Sequence, residues 1–314
     1  MNIKLLLTAI ASFLTISILY CTSALAAEPA NGIQILKYDR ESNLSNLPDN
    51  FRTAQSIFKD AQNGKQISKE GLDRLRLSGS SSFAKKEFKE MMRYLPKKDV
   101  VILDLRCESH GYINDNAVSW YSKYKSFNKG KNAQEIDLRE HQLLNNLLLS
   151  GKAEIARLAK DKSIKYLVTE KVDSTMTEKE FVESQGVKYY RIPIMDYSAP
   201  TNKNIDDFIR FYKSLPKNAW IHAHCEAGVG RTTICLSMID MINNADKLTY
   251  DKIMTRQVML GGEDVRQSAT KATDPYKIEN YPKRALFTKH FYDYVKAHPK
   301  LDISWSDWAK QENY

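Results

Sequence analysis

Apolar residues run almost without a break through Val100, Val101, Ile102, Leu103 and Leu105, which predicts a strand over Asp99 to Arg106 that is buried on both faces. A shorter run, Ala219-Trp220-Ile221-His222-Ala223, predicts a second buried strand, and Lys165 to Thr169 and Val187 to Ile194 predict two more. Between them the apolar positions change to helical spacing. Ser82 to Tyr94 reads as a basic amphipathic helix and Ala133 to Leu149 as another. Asn204 to Leu215 follows Pro200-Thr201 and places Ile205, Phe208, Ile209 and Tyr212 on one face. From Thr232 onward Ile234, Met238, Ile239 and Met241 form a stripe, and later helices are predicted over Tyr250 to Met259 and Pro282 to Ala297. Strands alternating with helices imply an α/β fold with a largely parallel central sheet. Glu28 to Asp49 is polar and poorly periodic, and reads as an N-terminal arm or edge structure.

The first 26 residues stand apart from this pattern. Lys4 precedes an apolar stretch from Leu5 to Tyr20, and Ala24-Leu25-Ala26 offers small residues at a cleavage site, the layout of an export signal cut after Ala26. The apolar stretch is short for a membrane span, and bulky Tyr20 before Cys21 argues against a lipid anchor there. The expected mature chain, residues 27 to 314, is one domain in the periplasm or outside the cell, without a stable membrane anchor and monomeric. Its net charge is +9 − 1 = +8 once Lys4 is removed, which favours anionic partners. The basic residues are scattered and form no nucleic-acid motif, so a small, densely charged ester fits better than nucleic acid. Three cysteines remain, Cys107, Cys225 and Cys235, an odd number that argues against a disulfide framework; no metal-ligand spacing occurs.

The chemistry is concentrated in His224-Cys225-Glu226-Ala227-Gly228-Val229-Gly230-Arg231-Thr232-Thr233, between a predicted strand and a predicted helix. One Cys, five residues and one Arg close a loop whose backbone N–H groups can surround a tetrahedral anion. Gly228 and Gly230 allow close backbone approach and conformations that other residues resist. Arg231 and Thr232 fall at a helix N-terminus, whose free N–H groups and partial positive charge hold phosphate and favour a thiolate at Cys225. A thiolate attacking phosphorus needs a proton donor for the departing oxygen. Asp196 is the best candidate, because Met195-Asp196-Tyr197-Ser198-Ala199-Pro200 is a loop directly after a strand. The polar cluster Arg106-Cys107-Glu108-Ser109-His110-Gly111 follows another strand end, where functional loops usually lie.

Here the chain resembles the cysteine-dependent phosphatases and, more closely, the protein-tyrosine-phosphatase-like inositol polyphosphate phosphatases, the cysteine phytases of bacteria. The loop His224 to Thr233 is similar to theirs, including Glu226 after the nucleophile and Thr233 where tyrosine phosphatases usually carry Gly. Similar segments recur in order: Leu47 to Arg52, Asp104-Leu105-Arg106 with Glu108 to Gly111, Ala117 to Tyr121, Asp196 with Pro200-Thr201, and Arg256-Gln257 with Gly261-Gly262.

The resemblance implies a phosphatase fold with a small partial β-barrel subdomain, and roles for individual residues. Cys225 forms a cysteinyl-phosphate, Arg231 clamps two phosphate oxygens, and Thr232 hydrogen-bonds the thiolate. His224 orients the loop from behind, and Asp196 protonates the leaving inositol oxygen. The loop residues Glu226, Ala227, Gly228, Val229 and Gly230 cradle the reacting phosphate. Arg52, Lys162, Lys277 and Tyr281 match positions that contact the other phosphates of such a substrate, and no metal or organic cofactor is implied. The chain departs from the family where Lys123 and Lys125 replace an acidic contact residue, Asp161 a His, and Tyr197 another His. The same loop also serves protein tyrosine, dual-specificity and phosphoinositide phosphatases, and these remain alternatives to phytate hydrolysis. A non-catalytic phosphate binder is disfavoured, since it would need neither the thiol nor the acid. Cys107, beside a strand end, is expected to be inert, with the trapping of oxidised Cys225 as the alternative.

Overall fold

The computed structural model describes residues 34–42, 46–59, 67–159, 161–267 and 272–314. The predicted export signal lies outside them. Among the described residues no helix is long and apolar enough to cross a membrane.

Two sheets organise the chain. The first has five strands: β2 (Arg52–Thr53), β3 (Leu77–Ser80), β4 (Val100–Arg106), β10 (Lys188–Ile194) and β11 (Trp220–His224). Their spatial order is β10-β4-β11-β3-β2, parallel throughout except at β2. The helices covering it are α1 (Lys85–Tyr94), α3 (Glu178–Ser184), α4 (Asn202–Ser214), α5 (Gly230–Asn244), α6 (Tyr250–Met259), α7 (Pro275–Ala297) and α8 (Trp305–Gln311). The unbroken apolar run of β4 has the consequence foreseen for it. Val101, Leu103 and Leu105 enter a large core shared with α4 to α8, while Val100 and Ile102 enter a second core with Phe88 and Met91 of α1 and Phe181 of α3.

The second sheet holds β1 (Ile35–Arg40), β5 (His110–Ile113), β6 (Asn116–Tyr121), β7 (Lys152–Leu158), β8 (Ile164–Lys171) and β9 (Thr175–Met176). Its order is β8-β7-β1-β6-β5-β9, with only the β1–β7 pair parallel. The described pairings leave β8 and β9 as its edges. Helix α2 (Ala133–Ser150) packs Leu144 onto its apolar face with Leu36, Val118 and Ile155.

Two sequence expectations need correction. Within the polar segment before Asp49, Ile35–Arg40 is no arm or edge, because this strand, β1, lies inside the second sheet between β7 and β6. Its Lys37 and Asp39 side chains are buried in ion pairs, which hides the strand from a hydrophobicity reading. Helix α7 begins at Pro275 rather than Pro282. Asp274 caps it by accepting from the amides of Tyr276 and Lys277, and Pro282 is carried inside the helix.

Candidate active site

The alternation of β11 sets the base of the site. Ile221, Ala223 and Cys225 face the large core, and His222 and His224 face the opposite side. The chain then turns through residues 226–229 into α5, so that Cys225 lies at the floor of a loop capped by a helix N-terminus. Its sulfur accepts a hydrogen bond from Thr232 Oγ1 at 3.2 Å, as the resemblance implies.

Three donors hold the loop open. Ser82 N donates to the Glu226 carbonyl (3.0 Å), Asn50 Nδ2 to that of Ala227 (2.9 Å) and Arg52 Nη1 to that of Gly228 (2.8 Å). A planar trans peptide opposes its N–H to its C=O, so carbonyls turned outward leave the amides of Ala227, Gly228 and Val229 turned inward. Gly228 carries the conformational demand. Its φ is +72°, and a Cβ there would lie 2.3 Å from the Ser80 carbonyl carbon and 2.4 Å from Ser81 N. Gly230 has no such φ; a Cβ there would meet only the side-chain ends of Arg284 and Glu263.

Arg52 is a brace. Its guanidinium is buried and also donates to Asn50 O (2.9 Å) and Thr233 Oγ1 (3.1 Å), a function the sequence reading did not assign. Thr233, which sequence reading took only as a family marker, accepts from Arg52 and from Glu263 N (3.1 Å) and donates to Val229 O (2.5 Å). That exhausts the ordinary capacity of one hydroxyl.

Arg231 is oriented by Glu108, on the loop after β4. Nη1 donates to Oε2 at 2.7 Å and Nη2 to Oε1 at 2.9 Å, and Nη1 also reaches Ile194 O at 3.1 Å. The guanidinium edge formed by Nε and the second Nη2 hydrogen is left for an anion, and buried Nε has no hydrogen-bond partner. Asp196 Oδ1 approaches that Nε at 3.4 Å. The predicted nucleophile, clamp and acid are therefore brought together.

The Asp196 loop is tied down on several sides. Lys125 donates to Asp196 Oδ2, the Ser198 and Tyr276 hydroxyls are 2.9 Å apart, and Tyr197 N donates to Asp196 Oδ1 at 3.1 Å. Tyr197 takes φ +64° and lies under Lys277 Nζ, 4.5 Å from its ring centre. Burial alone would raise the Asp196 carboxyl, but Arg231 and Lys125 outweigh it and hold it below the usual carboxylate range. Glu108 is treated likewise: burial opposes its charge, and Arg231, Lys125 and Arg106 hold it well below that range.

Lys277 and Tyr281 line a cavity of about 420 Å³ with Glu263 and Asp274, and the Tyr281 ring centre is 6.3 Å from that of Tyr197. Both residues thus flank the acid loop. Lys162 is exposed on the turn between β7 and β8 at φ +71°, and no described contact joins it to the phosphate loop. Glu226 directs its carboxylate to Lys37 (2.9 Å) and Lys125, and so serves the surrounding ion pairs. A cavity of about 1020 Å³ lies behind the acid loop between Met195, Ala199, Tyr190 and Lys129.

Behind the loop, His224 Nε2 is 2.7 Å from Glu178 Oε1, off the line of a hydrogen bond, and its ring packs on Phe83 at 5.0 Å. Asp104, Glu178 and His224 are the one group among the described residues whose ligand atoms converge as for a metal. Arg191 Nε (3.0 Å) and the Tyr189 hydroxyl (2.8 Å) already engage Asp104, and His110 lies 3.4 Å from Glu178, so the cluster reads as a buried ion-pair network. Cys107 donates to Asn128 O at 3.4 Å, and burial beside Glu108 pushes its thiol up to about 12, the setting of an unreactive cysteine.

Comparison with known proteins matches this geometry. Residues 103–243 fit the family model for PTP-like phytases, inositol hexakisphosphate. The tandemly repeated protein tyrosine phosphatase-like phytase of Mitsuokella multacida is 35% identical, with a TM-score of 0.85 over 92% of this chain and 49% of that one. A PTP-like myo-inositol phosphatase from the same organism, solved with myo-inositol-(1,3,4,5)-tetrakisphosphate, is 37% identical with a TM-score of 0.83, over 91% of this chain and 50% of the other. Among curated proteins, effector protein hopD2 of Pseudomonas syringae pv. tomato is 27% identical over 76% of this chain and 52% of its own length. The chain thus spans about half the length of these relatives. It covers 96% of a PTP-like phytase from Bdellovibrio bacteriovorus, over 90% of its own length, at 30% identity and a TM-score of 0.71. With Cys225, Arg231, Thr232 and Asp196 converging on one loop in that fold, the chain belongs to the protein-tyrosine-phosphatase-like phytase family.

Proposed function

We propose that this protein is an exported phosphatase that hydrolyses myo-inositol hexakisphosphate and lower inositol polyphosphates through a phosphocysteine, without a metal or organic cofactor. The observation that carries the reading is the meeting of Thr232-bonded Cys225 with the free edge of Arg231 and with Asp196, 3.4 Å from that edge. Cys225 sulfur attacks phosphorus; the S–P bond forms as the P–O bond to the ring breaks. Asp196 gives its proton to the departing inositol oxygen. In the second step a water oxygen attacks phosphorus, its proton passes to Asp196, and the S–P bond breaks. Loop amides and Arg231 hold the equatorial oxygens in both steps.

The inositol substrate is supported by the family and by Lys277, a cation that flanks the acid loop. Export is supported by the signal-like first 26 residues. The test compares phosphate release from inositol hexakisphosphate with release from a phosphotyrosine peptide at equal concentration. Faster turnover of the inositol ester supports the proposal; preference for the peptide would transfer it to the tyrosine phosphatases.

A further inference from the structure

Eight charged side chains form a closed ring that includes Glu226 and Arg231 of the phosphate loop. Lys37 contacts Asp39, which accepts from Arg106 Nη2 at 2.8 Å; Arg106 Nε meets Glu108 at 3.0 Å, and Glu108 meets Arg231 at 2.7 Å. Arg231 faces Asp196 at 3.4 Å, Asp196 and Glu226 both contact Lys125, and Glu226 returns to Lys37 at 2.9 Å. Four cations alternate with four carboxylates, so the ring sums to zero. It joins β1 of the second sheet to the phosphate loop, to α5 and to the acid loop.

Lys125 is the ring member that joins Asp196 to Glu226. It sits in a 3₁₀ segment, Lys123–Asn128, in which Tyr124 and Lys125 both adopt φ +54°. Two successive left-handed non-glycine residues are strained and persist only where surrounding contacts impose them. Those contacts are present: the Tyr124 ring stacks on Tyr276 at 4.2 Å, and Asn128 Nδ2 donates to Cys107 O (3.0 Å) and Ser109 Oγ (2.9 Å). The strained turn delivers a lysine that is only 8% exposed, a rare state for this residue unless it is paired. Its partners are Asp196, Glu226 and, at 3.9 Å, Glu108.

We infer that Lys125 is the positioning residue of the proton-transfer step, holding the Asp196 carboxylate over the phosphate loop by closing this ring. The inference rests on the reading of Asp196 as the acid. The groups facing Asp196 are Lys125, Arg231 from α5, Glu108 from the loop after β4, Tyr197 of its own loop, and Tyr281 from α7. Of the two cations, Arg231 is shared with Glu108 and the reacting phosphate. Lys125 alone can bind Asp196 without competing for that phosphate at the guanidinium edge. It also separates Asp196, Glu226 and Glu108, three carboxylates that would otherwise repel one another and the incoming phosphate dianion. Asp196 acts as an acid only when protonated, so the charge of Lys125 sets the pH above which the step fails.

The sign follows from the charges. Removing Lys125 lets Asp196 keep its proton to higher pH, whereas removing the competing charge of Glu226 leaves Lys125 more fully to Asp196 and moves the limit down. The experiment records kcat/KM against pH for wild type, Lys125→Met, Lys125→Arg and Glu226→Gln, on inositol hexakisphosphate and on 4-nitrophenyl phosphate, whose leaving group departs without full protonation. On the inositol ester, Lys125→Met should move the alkaline limb up by about one pH unit, a tenfold change in proton affinity. Lys125→Arg should restore the wild-type limb, Glu226→Gln should move it down, and the aryl ester should show none of these shifts. Equal losses on both substrates with an unmoved limb would overturn the inference and leave Lys125 a packing residue. If Lys125→Met does not fold, Glu226→Gln and Lys125→Arg decide it, the first expected to lower the limb and the second to keep it at the wild-type position: a limb that Glu226→Gln leaves in place overturns the inference. Asp196→Asn separates the two readings, because an alkaline limb that survives in that variant refutes Asp196 as the acid whatever Lys125 does.

Discussion

Replacing Glu108 by Gln removes the charge that orients Arg231 while keeping the side-chain volume. The carboxylate accepts from Arg231 Nη1 at 2.7 Å, from Arg231 Nη2 at 2.9 Å and from Arg106 Nε at 3.0 Å. A glutamine keeps one acceptor oxygen and turns an N–H₂ donor toward a guanidinium donor, leaving two buried arginines short of one negative charge. Breaking a buried ion pair on one side costs about 3–5 kcal/mol, and one charge-assisted hydrogen bond is worth about 1.5–3 kcal/mol. Taking about 3 kcal/mol as the loss in folding stability, the melting temperature of a domain this size falls by roughly 5–10 °C. A clamp that no longer points its free edge at the phosphate loses a factor of about 10²–10³ in kcat/KM, the range for one oxyanion donor. Both an inositol ester and an aryl phosphate should suffer alike, because Arg231 meets only the reacting phosphate. The folded-state carboxyl of Glu108 is held well below its ordinary range, so its contribution is complete above an unfolded-state value of about 4.3 and is lost as pH falls through the native value. The gap in melting temperature between wild type and Glu108→Gln should therefore be constant from neutrality to mildly acidic pH and close in stronger acid. Steady-state kinetics and thermal melts across pH measure both. A Glu108→Gln enzyme with wild-type kcat/KM and melting temperature would refute the assigned function of this contact.

Three further outcomes are expected. Cys225→Ser should abolish turnover yet bind inositol hexakisphosphate by calorimetry, because the hydroxyl is a far weaker nucleophile while the amides and Arg231 remain. Gly228→Ala should cost at least about 1–2 kcal/mol through its left-handed backbone and, through the clash with Ser80 and Ser81, most of the activity. Gly230→Ala meets only movable side-chain ends and should be milder, so equal losses in melts and assays would contradict the difference drawn between the two glycines. Lys277→Met should raise KM for inositol hexakisphosphate much more than for an aryl monophosphate, and the difference should shrink as salt rises; matched changes on both would remove Lys277 from the polyphosphate contacts.

Residues that act through local pattern were legible in the sequence. The β4 run, the strand–loop–helix around Cys225 and the helical face of Ile205, Phe208 and Ile209 each carry their signal within a few positions. What escaped was long-range pairing. Glu108 and Arg231 are 123 positions apart and Lys125 and Asp196 are 71 apart, and nothing near either residue specifies its partner. Strand β1 was hidden by the same effect, since Lys37 and Asp39 look solvated until their partners are known. Arg52 was visible as a cation in a recurring segment, but only its bonds to Gly228 O and Thr233 Oγ1 identify it as a loop brace.

In the proposed reaction Cys225 takes a phosphoryl group from an inositol polyphosphate. The most direct measurement is acid quenching of the wild-type enzyme during turnover of inositol hexakisphosphate, followed by peptide mass mapping. One phosphoryl group is expected on Cys225, absent in Cys225→Ser and absent without substrate. Continuous phosphate release with the Cys225 peptide always unmodified, or turnover by Cys225→Ser, would contradict it.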